Sequence, residues 1–328
     1  MPNQPQIQRT VDAVQLDEAD RRLIALLQQD GRISNRALAS AVGMTEVTIA
    51  SRLKRLISND AVSVTAMVDW EKAGYEWWVT GHLTCEGRSP RDVAVELGRV
   101  ESCAAASVVL GEVDIIASFL IADREEMSRL VTEDLPRIAG LRVVALDLAI
   151  TQHKYLWSAA TFPAQTTARL RFPNPVIELD EFDHRLIAAL ISDSRQSNRE
   201  IGRQLDVSDA TVRAHLRRLT DSGLVRLSAV VDPIVLGTVG CIAFCFLSVE
   251  RLQIGAVVET LKELPQVWQM SQSFGRFDLE VLLVCEDRAE LVEVLMGGIR
   301  ALEPVQETST MEVVEVPHHD YHWARFLT

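Results

Sequence analysis

A segment near residue 50 combines basic and hydroxyl side chains at helical spacing. Its apolar residues Ile49, Leu53 and Leu56 fall at i, i+4 and i+7 and predict the buried face of a helix. Arg and Lys on the opposite face could reach DNA phosphates and guanine edges, and small hydroxyl residues let a helix approach the major groove closely. The candidate DNA contacts are Thr45, Thr48, Ser51, Arg52, Lys54 and Arg55. Because this face should be exposed, replacing Arg52 and Arg55 is expected to weaken DNA binding without disturbing the fold.

The same pattern recurs near residue 213. Here the candidate DNA contacts are Ser208, Thr211, Arg213, His215, Arg217 and Arg218. His215 stands where the first segment has Arg52, so a permanent charge is replaced by an imidazole that is mostly neutral at pH 7. The two segments are therefore expected to differ in affinity or in the DNA sequence that they read.

Each segment forms the third helix of a predicted trihelical unit. In the first unit Leu23, Leu26 and Leu27 form a helical stripe, Ser34 is placed to cap a second helix, and Gly43 allows a tight turn into the third. Three short helices within about 45 residues are typical of a helix-turn-helix.

The chain is a tandem duplication. LDEADRRLIALLQQDGRISNRAL, beginning at Leu16, recurs as LDEFDHRLIAALISDSRQSNREI, beginning at Leu179, an offset of 163 residues. GEVD at 111–114 recurs as GRFD at 275–278, one residue further along. We predict winged helix-turn-helix units at 16–64 and 179–228, α/β domains at 73–157 and 238–318, and a linker rich in Thr, Ala and Pro at 158–178.

After each trihelical unit the apolar pattern changes from helical to strand-like. The segments that follow have the order βαββαβ, which predicts a ferredoxin-like domain with a four-stranded antiparallel sheet and its helices on one face. The predicted fold class is therefore α+β, with the winged unit and the ferredoxin-like domain each present twice. The strands are apolar enough that the open face of each sheet must be covered, most simply by pairing with a second copy.

Composition indicates a globular protein, with 48% hydrophobic and 24% charged residues. No apolar run is long enough to span a membrane, and the first ten residues lack the apolar segment of a signal peptide, so we expect a cytoplasmic protein without a membrane partner. Without a C-x-x-C pair, the cysteines are expected to be reduced core residues. They are Cys85, Cys103, Cys241, Cys245 and Cys285.

The net charge of −13 argues against nucleic-acid binding, because DNA repels acidic surface. Its distribution weakens that argument. Residues 16–60 carry seven Lys or Arg against six Asp or Glu, and residues 179–226 carry eight of each. The excess acid lies outside the predicted DNA-binding units.

Several motifs together resemble the leucine-responsive regulatory protein and AsnC family. They are L-D-x-x-D near the start of each half, S-N-R before the helix-turn-helix, a D-x-x-x-x-G link, and G-x-[VF]-D between two strands. The resemblance is present in each half and together covers nearly the whole chain. It implies a sequence-specific transcriptional regulator that binds double-stranded DNA. The domains at 73–157 and 238–318 would then be ligand-sensing and dimerisation domains, which bind an amino acid or related metabolite at the interfaces between them.

Members of that family usually carry one such pair of domains per chain. The duplication would let the two sensing domains pair within one polypeptide and present two different helix-turn-helix units. Homo-oligomers assembled through the sensing domains are also expected.

The resemblance places the effector site at Gly111, Asp114, Gly275 and Asp278. Glycine permits a tight turn between strands, and a carboxylate accepts hydrogen bonds from backbone N–H groups or from an amino group. G-x-x-D is also simply a good hairpin connection, so both interpretations stay open.

Siroheme decarboxylases resemble the same architecture and are the competing enzyme hypothesis. Such an enzyme should place histidines in the sensing domains, but His82 has no histidine counterpart in the second half and His153 lies near the end of the first sensing domain. The histidines of PHHDYHW, His318, His319 and His322, are expected on an exposed tail rather than at a zinc site.

The chain also lacks phosphate-loop, G-x-S-x-G and dinucleotide motifs. We therefore expect no enzyme activity, cofactor or metal. A third hypothesis, an oligomerising sensor that has lost DNA binding, is favoured by the acidic total and by His215.

Overall fold

The computed structural model describes residues 14–160 and 170–327. The N-terminal segment used in the signal-peptide prediction and the middle of the predicted linker lie outside these ranges. Every helix within them is too short or too polar to cross a lipid bilayer.

The first helix-turn-helix unit contains α1 (Glu18–Gln29), α2 (Asn35–Val42) and α3 (Glu46–Ser58). The Ser34 hydroxyl caps α2 by accepting a hydrogen bond from the Ala37 N–H. Gly43 ends α2 with φ +75°, a left-handed conformation that glycine adopts without strain. The sequence-based prediction of this unit is confirmed.

The second unit contains α6 (Glu181–Ser192), α7 (Asn198–Leu205) and α8 (Asp209–Asp221). Asp206, with φ 58°, takes the place of Gly43 at the turn. Aspartate tolerates this conformation better than most residues, so the turn is retained without glycine.

Two ferredoxin-like domains follow the helical units. The first α/β domain contains β2 (Trp77–Cys85), α4 (Pro90–Leu97), β3 (Cys103–Leu110), β4 (Ile115–Ile121), α5 (Arg124–Arg129) with its continuation Leu130–Asp134 and Leu135–Arg137, and β5 (Leu141–Tyr155). The second α/β domain contains β7 (Cys241–Val249), the turn Arg251–Gln253, α9 (Ile254–Lys262), β8 (Val267–Phe274), β9 (Leu279–Cys285), α10 (Arg288–Glu293) with its continuation Val294–Ile299, and β10 (Val305–His319). The strand orders are β3-β4-β2-β5 and β8-β9-β7-β10. The predicted α+β fold is confirmed.

The two sheets join edge to edge. β5 pairs with β8 and β10 pairs with β3, both antiparallel, which closes an eight-stranded barrel. The apolar face of each sheet that was expected to need a second copy thus faces the sheet of the other half. The described chain is its own pseudo-dimer.

A three-stranded sheet connects the helical units to the barrel. β1 (Val62–Asp69) and β6 (Val225–Val231) run antiparallel, and β11 (Trp323–Ala324) adds parallel to β1. Thr65 pairs with Ser228, its own counterpart in the repeat, so the pseudo-twofold axis passes through this pair of strands.

Two arginines at equivalent positions fasten the helical units to each other. The guanidinium of Arg32 donates to Asn198 Oδ1 at 2.7 Å, and that of Arg195 donates to Asn35 Oδ1 at 2.8 Å. Both arginines are half-buried, and burial lowers the pKa of each guanidinium. Because each side chain bridges from one unit to the other, the orientation of the two units is set within the chain.

The C-terminal histidine segment is not an exposed tail, and that prediction is wrong. His318 and His319 belong to β10, and His322 is only 5% exposed. The Val68 N–H donates to the His322 carbonyl at 2.8 Å, and Trp323 packs edge-on against Tyr75. The free edge of β1 offers backbone hydrogen bonds that the segment satisfies, which sequence periodicity did not reveal.

The cysteines are free thiols, four buried and Cys85 half-buried. Burial raises the pKa of the Cys103 thiol to about 12. They are core residues, as predicted.

Candidate nucleic-acid interface and inter-domain polar cluster

Helix α3 has the predicted orientation. Ile49, Leu53 and Leu56 are buried against the unit's core. The exposed members of the predicted set are Thr45, Thr48, Ser51, Lys54 and Arg55. The Thr45 hydroxyl accepts from the Thr48 N–H and caps the helix. A hydroxyl and cationic face is therefore presented outward.

Arg52 and Arg55 are held by carboxylates of α1. Arg52 Nη1 lies 2.7 Å from Asp17 Oδ2 and 2.9 Å from Asp20 Oδ1, and Arg55 donates to Asp20 and to the Gln15 carbonyl. Asp20 is 1% exposed, so its charge depends on these partners. These ion pairs argue against the expectation that both arginines can be removed without disturbing the fold.

The second unit has the same arrangement with one change. Arg218 and His215 both contact Asp183, which is buried; His215 Nδ1 lies 2.8 Å from Asp183 Oδ1. Arg213 and Arg217 instead form exposed pairs within α8, with Asp209 and Asp221. Exposed i,i+4 pairs contribute only about 0.3–0.5 kcal/mol, so DNA phosphates could displace those carboxylates.

The acidic residues of the L-D-x-x-D motif were missed as positioning residues. Asp17 caps α1 by accepting from the Asp20 N–H at 2.8 Å, and Asp20 accepts from the Asp17 N–H at 3.3 Å. Asp180 and Asp183 repeat this reciprocal arrangement in α6. The signal was available, because an N-cap acid followed three residues later by a second acceptor is a capping-box pattern.

The G-x-x-D segments connect β3 to β4 and β8 to β9. The Asp114 carboxylate accepts from the Cys85 N–H at 2.7 Å, and that of Asp278 accepts from the Val249 N–H at 2.8 Å. Each aspartate therefore ties its hairpin to the end of a neighbouring strand.

The glycines of these hairpins are required for a reason other than turn geometry. Neither Gly111 nor Gly275 has positive φ. A Cβ on Gly111 would lie 2.9 Å from Met311 Cγ, and a Cβ on Gly275 would lie 2.1 Å from Asp147 Oδ1. Each hairpin approaches the long last strand of the other α/β domain too closely for a side chain.

A buried polar cluster lies between the α/β domains. His82 Nε2 lies 3.1 Å from Asp147 Oδ2, and the Arg276 N–H donates to Asp147 Oδ1 at 2.7 Å. The Thr80 hydroxyl donates to Glu280 Oε2 at 2.6 Å. Burial raises the pKa of Glu280 to about 7. The two halves thus share a group of titratable side chains shielded from water.

This cluster exists on one side of the pseudo-twofold axis only. The corresponding positions in the other half of the repeat are Phe244, Phe246, Ile116 and Met311. The His82 ring lies 4.5 Å from that of Phe246, and His82 Nδ1 has no hydrogen-bond partner among the described residues. Sequence reasoning noted that His82 lacks a histidine counterpart but did not connect it with Asp147 and Glu280, which are distant along the chain.

The fold resembles that of a solved enzyme over both halves. The structure of the siroheme decarboxylase NirDL, in complex with an iron-uroporphyrin III analogue, matches with a TM-score of 0.65 over 92% of each chain. Sequence identity is 15%, so this likeness concerns the fold alone.

Sequence comparisons concern the individual halves. An AsnC-type helix-turn-helix domain matches residues 16–57, a winged helix-turn-helix DNA-binding domain matches 179–226, and an Lrp/AsnC ligand binding domain matches 242–322. An uncharacterised HTH-type transcriptional regulator of Pyrococcus abyssi is 30% identical over 143 residues, 43% of this chain and 90% of the relative. The HTH-type transcriptional regulator Ptr1 of Methanocaldococcus jannaschii is 30% identical over 125 residues, 38% of this chain and 84% of the relative. With these matches and its duplicated winged and ferredoxin-like units, the chain belongs to the Lrp/AsnC family of transcriptional regulators.

Proposed function

We propose that this protein is a cytoplasmic, sequence-specific DNA-binding regulator, without enzyme activity, in which one chain does the work of a dimer. The observation that carries the proposal is that two exposed recognition helices, α3 and α8, belong to units joined through β1, β6 and the reciprocal Arg32 and Arg195 contacts. Two recognition helices held in a fixed orientation suit DNA half-sites that lie about one turn of the double helix apart, roughly 34–36 Å, or a multiple of that distance.

The residues proposed to contact DNA are a subset of those predicted, chosen because, among the residues that the structure describes, none of their side chains is paired with a buried carboxylate. In α3 they are Thr48, Ser51 and Lys54, and in α8 they are Thr211, Arg213 and Arg217. Arg52, Arg55, His215 and Arg218 position the helices through Asp20 and Asp183. Thr45 and Ser208 cap the N-termini of α3 and α8.

The two readers present different chemistry. Ser51 corresponds to Ala214, and Ala50 corresponds to Arg213. The operator should therefore consist of two unlike half-sites rather than a palindrome, because palindromic DNA mirrors a symmetric reader.

A small-molecule effector, such as an amino acid, is proposed to act at the interface between the α/β domains. The support is the buried cluster of His82, Asp147 and Glu280, which joins the halves and touches the hairpin of Gly275. Asp114 and Asp278 would act by holding the hairpins in place, since their carboxylates already accept backbone hydrogen bonds.

Homo-oligomers are proposed to form through the α/β domains. Leu110 and Phe274, equivalent residues at the two hairpins, are 58% and 74% exposed. Apolar side chains at such positions favour contact with further copies.

The test compares binding of the purified chain to three DNA duplexes: one with two different half-sites, one with those half-sites swapped, and one with two identical half-sites. Tighter binding to the first duplex than to the other two supports the proposal. Equal binding to all duplexes would indicate a non-specific binder, and no binding would favour a sensor without DNA function.

A second candidate function is a tetrapyrrole-modifying enzyme. It is favoured by the NirDL-like fold over both halves and by the buried His82 between the α/β domains. Addition of an iron-uroporphyrin to the purified chain distinguishes the two candidates. Loss of carboxyl groups from the added tetrapyrrole supports the enzyme, and an unchanged tetrapyrrole supports the regulator.

A further inference from the structure

The two helix-turn-helix units differ in how they neutralise the same pair of carboxylates. In the first unit Asp17 and Asp20 face two guanidinium groups, those of Arg52 and Arg55. Among the residues that the structure describes, the equivalent Asp180 and Asp183 of the second unit face one guanidinium, that of Arg218, because His215 replaces the other arginine. The second unit therefore lacks one permanent positive charge where the first has it.

The first unit shows where that charge belongs. Arg52 Nη1 lies between Asp17 Oδ2 and Asp20 Oδ1, at 2.7 and 2.9 Å, so the carboxylate pair grips a cationic group. In the second unit the shorter imidazole of His215 approaches the same place from α8. One ligand atom each from Asp180, Asp183 and His215 lie within 4.8 Å of one another.

We propose that the second helix-turn-helix unit binds a divalent transition-metal ion in place of the missing guanidinium, with Asp180, Asp183 and His215 Nδ1 as its protein ligands. A mixed imidazole and carboxylate set suits ions such as Co²⁺, Ni²⁺ or Zn²⁺, whereas Ca²⁺ and Mg²⁺ prefer oxygen alone. Asp183 Oδ1 and His215 Nδ1, 2.8 Å apart, subtend about 85° at an ion ~2.1 Å from both, close to the octahedral angle.

The surroundings suit such an ion. Asp183 is fully buried and His215 is about a quarter exposed, so the ligands are held by packing, while the exposed Asp180 leaves a route from solvent. Phe182 packs edge-on against the His215 ring and limits its rotation. Arg218 contacts the other oxygen of Asp183 and can stay there. Two carboxylates and one guanidinium leave a net negative charge to attract the cation.

The ion would connect the start of α6 to the middle of α8, as Arg52 connects α1 to α3. Any effect of this connection on DNA binding rests on the proposed function, in which α8 contacts DNA. Metal binding itself does not rest on the proposed function, and it is measured without DNA.

The chain supplies its own reciprocal controls. H215R copies the first unit into the second, and R52H copies the second into the first. Because each replacement already exists in the other half, both variants are expected to fold, which circular dichroism and thermal melting verify.

The experiment is calorimetric and visible-absorption titration of the chelator-treated full chain with Co²⁺. We expect one ion per wild-type chain, a loss of affinity of more than about tenfold in H215R, and two ions per chain in R52H. A wild-type chain that binds no Co²⁺, an H215R variant that binds like wild type, or a folded R52H variant that gains no second ion would each overturn the proposal. Loss of DNA binding with metal stoichiometry intact would instead count against the proposed regulator function alone.

Discussion

Arg276 Nη2 lies 2.5 Å from Glu112 Oε1, joining the two hairpins across the boundary between the halves. The two residues occupy the same position in the repeat, in GEVD and GRFD. If identical halves paired, glutamate would face glutamate and arginine would face arginine, which costs energy. The divergence therefore favours pairing within the chain over pairing of like halves from different chains.

Charge reversal at this contact should be rescued by a second reversal. E112R is expected to lower the free energy of unfolding by about 1 kcal/mol, because a partly exposed ion pair becomes a repulsive one. The double variant E112R/R276E should recover most of that loss. Urea denaturation of the wild type, the two single variants and the double variant measures the coupling energy between Glu112 and Arg276. Strictly additive effects on the free energy of unfolding would show that the pair does not interact.

Removal of Arg52 and Arg55 should destabilise the first helix-turn-helix unit. The double alanine variant leaves the Asp20 carboxylate buried without a cationic partner, at a cost of up to about 3 kcal/mol. Thermal melting is expected to show a lower midpoint for this unit.

The control is D20N in the same double-alanine background. An amide in place of the unpaired charge should restore part of the lost stability, because less desolvated charge remains. If D20N lowered the melting temperature further, unpaired charge would not be the cause.

Lys54 and Arg217, equivalent residues on α3 and α8, should contribute to DNA affinity without contributing to the fold. Each alanine substitution is expected to weaken binding to all sequences and to reduce the slope of log affinity against log salt by about 1, the value for one phosphate contact. Fluorescence anisotropy across salt concentrations measures this. R137A, which removes an exposed arginine from the first α/β domain, is the matched control. Equal salt-dependence slopes for K54A, R217A and R137A would show that Lys54 and Arg217 of α3 and α8 do not contact DNA phosphates.

Glu280 should make stability fall as pH rises. Burial raises the pKa of this carboxyl from about 4.5 to about 7, so between these values the folded chain keeps a proton that the unfolded chain has lost. The free energy of unfolding therefore decreases across this window.

E280Q removes this titration and should be more stable than wild type at pH 8, by at most about 3 kcal/mol, with little difference near pH 4.5. Urea denaturation at several pH values gives both profiles. E293Q, at an exposed position of α10, is the control. Parallel profiles for E280Q and wild type would show that Glu280 titrates normally.

Local patterns were sufficient to predict most of the fold. The stripe of Leu23, Leu26 and Leu27, the cap at Ser34 and the duplicated motifs indicated both trihelical units, and strand-like periodicity indicated both ferredoxin-like domains. The C-terminal segment was misjudged, because pairing of Trp323 with β1 depends on an edge created by distant parts of the chain.

The candidate site was less predictable for the same reason. Helical periodicity correctly placed Arg52 and Arg55 on the face of α3 opposite its buried residues. It carried no information about Asp20, which lies on another helix and contacts both arginines. Likewise His82, Asp147 and Glu280 meet only because the barrel closes between the halves. Contacts between elements decide which polar side chains are free and which are already engaged.

In the proposed function, one chain binds DNA through α3 and α8 together. Fluorescence anisotropy of the purified wild-type chain on a fragment of its own promoter, against a scrambled duplex of equal length and across salt concentrations, tests it most directly. We expect specific, salt-sensitive binding to the promoter fragment, which is weakened when α3 loses Lys54 or α8 loses Arg217. Equal affinity for both duplexes, or no binding at any salt concentration, would contradict it.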